Sequence, residues 1–252
     1  MVHSLSQKYS LNTIDQTHIV RRVKEPCFWV KKGTGIKNSE GEPAENGDRI
    51  SAWEQEPITG EAADRTRRLE MEDEADQPVY NAAYDAVNFE GSRHLDFSTN
   101  ITDAEDGDFT WAIRVLFNEL EEGVNTLLGG STTNYFELTN ASKFKLKITG
   151  SGNEQWEDTE EPLSGSRWYS IMLVRCANQI KIYIDDGGTD FTNSDYDSDE
   201  EVEENDDVAV STVGTRTGGI NELNGQVREI IKWCDCLTAD ERTIIFSYLN
   251  TV

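Results

Sequence analysis

Three aspartates at alternate positions, Asp195, Asp197 and Asp199, form the most suggestive metal-ligand spacing in the chain. A Ca2+ ion takes about six to eight hard oxygens, and such a run can open a calcium loop. The glycine that the loop requires is replaced by Glu200, and the chelating Glu near its end by Asp206. The alternative, favoured on these departures, is a solvated, mutually repelling acidic loop over 190–207. Ca2+ is the single cofactor the sequence suggests. Sugar chemistry has two candidates: Tyr135, close to Gly130, and Trp156, in the loop between Gly150 and Gly165. Either ring could stack on a sugar while Glu154, Glu157 and Asp158 accept its hydroxyls or simply solvate the loop, but such a ring is more often a core anchor or a loop plug.

Covalent and hydrolytic chemistry find little support. Glycan hydrolysis needs two carboxylates flanking the scissile bond, and no Glu-x-Asp-x-x-Glu or Glu-x-Asp-x-Glu pattern occurs; the dense run Glu70 to Glu74 falls in an expected loop. His3 and His18 lie near the start of the chain, His94 lies beside a turn, and no Gly-x-Ser-x-Gly elbow or glycine-rich phosphate loop is present. The expectation is a protein that is not an enzyme. Cys27, Cys176, Cys234 and Cys236 do not form a disulfide framework by number or spacing, so they are expected as free thiols. A bridge between Cys234 and Cys236 would be strained, and no further ligand pair completes a zinc site.

The elements that would position these residues follow from charge and periodicity. The formal charge is −25 over 252 residues, which disfavours nucleic acid as a partner. No apolar run reaches the about 18–20 residues of a membrane span, and the first thirty residues lack the apolar stretch of a secretory leader. Residues 1–38 carry a local +5, leaving −30 on the rest. They read as a basic N-terminal arm that docks on an acidic neighbour or packs on its own acidic body. A loop-rich opening spans 39–77, broken by a short strand at Arg49 to Trp53. Beyond Pro78 the period is two: ten β-branched or aromatic runs, from Val79 to Trp233, are separated by Gly, Asn and Asp turns. That pattern predicts an all-β antiparallel sandwich or jelly roll. Phe109, Trp111, Ile113, Val115 and Phe117 share a core face, as do Phe144, Leu146 and Ile148, and Ile180, Ile182 and Ile184. Thr238 and Glu241 make a capping box for a short C-terminal helix, whose apolar side, with Ile244, Ile245, Tyr248 and Leu249, should cover an open edge or end of the sandwich.

The text Gly225-Gln-Val-Arg-Glu-Ile-Ile-Lys-Trp-Cys-Asp-Cys-Leu-Thr-Ala-Asp-Glu-Arg242 resembles the closing strand and helix of laminin-G-like, concanavalin A-like jelly rolls. Two further pieces are similar to that family in the expected order: Val87-Asn-Phe-Glu-Gly-Ser-Arg-His-Leu-Asp-Phe97 and the hairpin from Arg167 to Gly187. Asn46-Gly-Asp-Arg-Ile-Ser-Ala-Trp53 with Gln77-Pro-Val-Tyr80 resembles the opening of the version found in virion proteins of tailed bacteriophages. Lys232 departs from the family, standing where an apolar residue is usual.

The resemblance implies one jelly-roll domain over 39–252 and a virion structural protein, such as a capsid decoration, localised on a particle assembled in the host cytoplasm. Arg21, Arg22, Lys24, Lys31 and Lys32 would then engage carboxylates of other virion proteins or of another copy, with Phe28, Trp29 and Val30 as the apolar contact. The alternative is a lectin-like module that binds surface glycan through Tyr135 and Trp156.

Overall fold

The computed structural model describes residues 17–58, 67–103, 107–118, 120, 124–131, 134–140, 143–147, 155–158, 163–177, 179–185, 208–216, 219 and 221–251. The predicted antiparallel sandwich is present, in two sheets. The first runs β14 (Gln179–Asp185), β13 (Trp168–Cys176), β8 (Phe109–Phe117), β16 (Gly225–Trp233), β6 (Ala86–Phe89) and β5 (Val79–Asn81), with β1 (Phe28–Val30) also paired to β16. The second runs β12 (Gln155–Asp158), β11 (Lys143–Lys147), β10 (Asn134–Asn140), β9 (Asn125–Ser131), β15 (Val208–Val213), β7 (Leu95–Asp103), β4 (Arg68–Glu70), β3 (Ile50–Glu54) and β2 (Ile36–Asn38). Alternation places Phe109, Trp111, Ile113, Val115 and Phe117 in the core between the sheets, with Phe144, Leu146, Ile180, Ile182 and Ile184. Ile148 lies outside the described residues.

A strand with only one buried face alternates; β8 and most of β13 are buried on both. The reason is a second apolar layer. Ala112, Met172, Val174, Ile231 and Trp233 point away from the inter-sheet core and pack with Ile245, Phe246, Tyr248 and Leu249 of α2 (Ala239–Thr251) and with Val20 of α1 (Thr17–Val23). The capping box forms: the Thr238 N–H donates to Glu241 Oε2 at 2.7 Å, and the Glu241 N–H points back to Thr238 Oγ1 at 3.4 Å. The helix nevertheless covers the outer face of the first sheet, not an edge or end, and it buries Phe246 while Ile244 stays exposed.

The arm expectation also changes. Residues 1–16 lie outside the described set, but 17–38 hold α1, β1 and β2. Phe28, Trp29 and Val30 pair with Lys232, Ile231 and Ile230, and all three are fully buried in this chain's own cores. An apolar contact with a partner through these three side chains is therefore replaced by an internal one.

The cysteines require a second correction. Cys27 is bridged to Cys234 and Cys176 to Cys236, with Cα separations of 5.9 and 5.4 Å, and no described cysteine is free. One bridge ties β1 to the end of β16, the other ties β13 to the segment entering α2. The denatured, unreduced protein should take up no iodoacetamide, and replacing both Cys27 and Cys234 by Ser should lower stability by about 2–5 kcal/mol in urea unfolding. Alkylation of the unreduced chain at any of the four positions would count against the bridges.

Lys232, the departure from the family pattern, is buried facing the inter-sheet core. Its Nζ lies 2.5 Å from Asp103 Oδ1 on β7 and 3.3 Å from Cys234 Sγ, so the ion pair joins one sheet to the other. Burial pushes the Asp103 carboxyl above its usual range and the Lys232 ammonium below its own, each against the attraction of the other.

Candidate functional site

α1 and α2 pack on the outer face of the first sheet; among the described residues no helix packs on that of the second. Over β9, β10 and β15 that face is crossed by the segment leading to β16. The crossing depends on Gly129, where a Cβ would stand 2.0 Å from the Thr215 carbonyl oxygen. Arg216, carried by this segment, lies flat on the Tyr135 ring with its guanidinium carbon 3.5 Å from the ring centroid. It also clamps Glu137 with both nitrogens, Nε at 2.9 Å from Oε2 and Nη2 against Oε1. Thr126 Oγ1 and Asn221 Nδ2 donate to the same carboxylate at 3.4 and 3.3 Å.

Of the two readings left open for Tyr135, the structure excludes the exposed sugar platform: the ring is 4% exposed and roofed by Arg216. Trp156 sits on β12, its backbone paired with Lys145, and its side chain is outside the described residues. The two ring-bearing positions share the second sheet but are separated by β11. Asp195, Asp197 and Asp199 also fall outside the described residues. Among those described, no group of three His, Cys, Asp or Glu side chains is placed to hold a metal.

Beside the Arg216 crossing lies a depression of about 300 Å³ lined by His94, Asp96, Asn100, Ser211, Thr215 and Arg216. A second, about 660 Å³, spreads over β2, β3 and β4 and is lined by Lys37, Glu40, Glu54, Arg68, Glu70 and Glu74, among others. The two adjoin at one cross-strand pair, because Glu70 is the partner of Asp96. Burial raises the Asp96 carboxyl above its usual range; the nearby His94 opposes the rise, and the Glu70 charge adds to it. His94 Nε2 is 3.7 Å from Asp96 Oδ1, and its Nδ1 is 2.9 Å from the Ser92 carbonyl oxygen. Arg68 Nε holds Glu70 at 2.6 Å. Chemically, this face is a row of hydroxyl, amide, carboxylate and guanidinium groups suited to sugar hydroxyls, and no exposed aromatic lines it among the described residues. Sequence reasoning missed Arg216, Glu137 and Asp96; the one usable signal was the Gly129-Gly130 pair inside a strand run.

The docking cations expected from sequence are distributed over the chain's own surface. Arg21 donates to the Pro57 carbonyl, Lys24 pairs with Asp235, Lys31 lies 5.9 Å from the Trp29 ring centroid, Lys32 is half-buried and Arg22 is exposed.

The family described as the concanavalin A-like lectin/glucanases superfamily matches residues 89–241. A search of the curated proteins returned no match. Among solved structures, Trypanosoma rangeli sialidase in complex with sialic acid aligns at TM-score 0.54 and 15% identity, over 89% of this chain and 32% of that one. The covalent-intermediate complex of the same sialidase with 2,3-difluorosialic acid aligns at TM-score 0.55 and 14% identity, over 90% and 33%. The chain thus spans about a third of the length of these sialidases, and at such identities the likeness is one of fold. The CBM40 of Ruminococcus gnavus IT-sialidase, bound to α2,3 sialyllactose, aligns at TM-score 0.41 and 17% identity, over 56% of this chain and 82% of that one.

Proposed function

Because this chain belongs to the concanavalin A-like lectin/glucanases superfamily, we propose that it is a non-catalytic, lectin-like module that binds carbohydrate on the open face of its second sheet. The observation that carries the reading is the adjoining pair of polar depressions at Glu70 and Asp96, on the outer face of the second sheet, which no helix covers among the described residues. Acceptors there outnumber apolar groups, which suits the hydroxyls of an uncharged sugar more than a hydrophobic ligand. The two cystines fit a working place outside the reducing cytosol, such as a cell or particle surface. A role as a virion component, docked by the N-terminal segment, is compatible with glycan binding, but it loses Phe28, Trp29 and Val30 as its apolar contact and ranks second.

Neutral oligosaccharides should be retained by the wild-type protein on a glycan array. Asp96→Asn should weaken that binding about tenfold, the loss of one charge-assisted hydrogen bond, without lowering the melting temperature. The antiparallel pairing puts two carboxylates side by side, about 4.5–5.5 Å between Cβ atoms in such pairs, so hydrolysis is tested in the same experiment. The expected result is binding with no new reducing ends. Release of sugar that is lost in Glu70→Gln would replace a binding module with a glycosidase, and an array with no neutral ligand would end the proposal.

A further inference from the structure

Where β16 ends, the Cys27–Cys234 bridge lies against a buried cation. Lys232 Nζ is 3.6 Å from Cys27 Sγ and 3.3 Å from Cys234 Sγ, within reach of both sulfurs, and 2.5 Å from Asp103 Oδ1. The two cysteines differ in access: Cys27 is 4% exposed, while Cys234, just past its strand, is exposed. A thiolate arriving from solvent therefore meets Cys234 first, and Cys27 is the sulfur that departs. Asp235, next in the chain, is paired with Lys24, so its charge is offset where an anionic thiolate would approach.

Thiol–disulfide exchange is faster when the departing sulfur makes a stable thiolate, and a cation beside a sulfur supplies that stability. Lys232 gives Cys27 such a cation, and at 1% exposure water screens it little. Burial pulls the Lys232 ammonium below its usual range; Asp103 opposes the fall and Arg67 adds to it. A second anion, at Cys27, would oppose it too, so a charge already in place favours departure of the thiolate. The Cys176–Cys236 bridge is a contrast within the same chain. Cys176 is exposed and Cys236 half-buried, but Cys236 Sγ lies 3.8 Å from the Leu237 carbonyl oxygen, whose dipole disfavours a thiolate.

We infer that Cys234 is a thiol-exchange site, at which a small aliphatic thiol is captured as a mixed disulfide while Cys27 departs toward Lys232. The thiol loses its proton to solvent, its thiolate sulfur bonds to Cys234 Sγ, and the Cys234–Cys27 bond breaks with its electron pair going to Cys27 Sγ. The incoming sulfur is oxidised and Cys27 is reduced, so the bridge itself is the oxidant. β1 is then held to β16 without a covalent tie. The inference is independent of the groove on the second sheet and of the glycan reading.

The test is exposure of the oxidised full chain to glutathione, followed by acid quenching, alkylation in denaturant with N-ethylmaleimide and peptide mapping by mass spectrometry. Early products should carry glutathione on Cys234 and N-ethylmaleimide on Cys27, and this bridge should open about ten times faster than Cys176–Cys236. Lys232→Met alone leaves a buried carboxyl and loosens the fold, which would speed opening whatever the chemistry. The double variant Asp103→Val/Lys232→Met removes both members of the ion pair and separates the two effects. Loss of the ammonium should slow opening of the Cys27–Cys234 bridge about tenfold and leave the Cys176–Cys236 rate unchanged, whereas loosening would speed both. The site is refuted if glutathione is absent from Cys234, if it is found on Cys27 instead, if the Cys176–Cys236 bridge opens first, or if the double variant opens the Cys27–Cys234 bridge as fast as the parent or faster.

Discussion

Asp103→Asn and Lys232→Met, each made alone, should lower stability by about 3–5 kcal/mol, because each leaves a buried ionisable group without its nearest opposite charge. The pair crosses from β7 to β16 with almost no solvent contact, Lys232 at 1% exposure and Asp103 at 7%. Arg175 and Arg67 also draw the Asp103 carboxyl down, each less than Lys232 does. Asp103 Oδ2 has no hydrogen-bond partner, and Lys232 has beyond Asp103 only cystine sulfurs and the Trp111 ring, 5.7 Å from its Nζ. The raised carboxyl and lowered ammonium pKa values indicate that desolvation outweighs the attraction on both sides. The double variant Asp103→Val/Lys232→Met should therefore recover most of the loss and come within about 1–2 kcal/mol of the parent, on either side. Urea unfolding under non-reducing conditions measures all three. Single variants that cost under about 1 kcal/mol would mean that water reaches the pair.

Glu229 should make the protein lose stability as pH rises from about 4.5 to about 7. It is fully buried on the outer face of the first sheet, under α2, and its Oε1 accepts from Trp29 Nε1 and Tyr248 Oη, both at 2.6 Å, while Oε2 has no partner. Burial raises its pKa from 4.5 to about 7; the two hydrogen bonds and the charges of Lys31 and Lys32 oppose the rise without cancelling it. A folded-state pKa above the unfolded value gives stability that is complete below the unfolded pKa and disappears as pH passes through the folded one. The window is thus about pH 4.5 to 7, and the full span is on the order of 3 kcal/mol. Glu229→Gln keeps an acceptor for both donors and cannot ionise. It should match the parent at pH 4.5 and exceed it at pH 8, read as the difference in unfolding free energy between the two proteins. A difference that does not vary with pH would show that Glu229 does not titrate in this window.

The fold was legible where runs are long. The run from Phe109 to Phe117 is β8 from end to end, because a nine-residue alternation can be read without its neighbours. β13 even carried the hint of a second layer: Met172 and Val174 are apolar at positions that a one-faced sheet would make polar. What could not be read was short or distant. β1, β2 and β4 have three residues each, too few to show a period. In β1, Phe28-Trp29-Val30 sit among lysines, and their charge context suggested an arm; their partner strand lies about two hundred residues away. The cystines join positions 207 and 60 residues apart, separations that no local spacing rule can detect. Tyr135 did belong on the outer face of its strand, but the arginine that covers it arrives on a loop 81 residues later.

The Cys27–Cys234 bridge also decides how the domain carries mechanical load. A pull that enters upstream of Cys27 and leaves downstream of Cys234 passes from one sulfur to the other, so the strands between them lie outside the force path. Tension can peel α2 from its sheet, but it cannot unzip the sandwich until a covalent bond is reduced. In a reducing medium the same pull would act first on β1, which is held to β16 by three residue pairs. Under such a load the domain's resistance to extension is chemical rather than conformational.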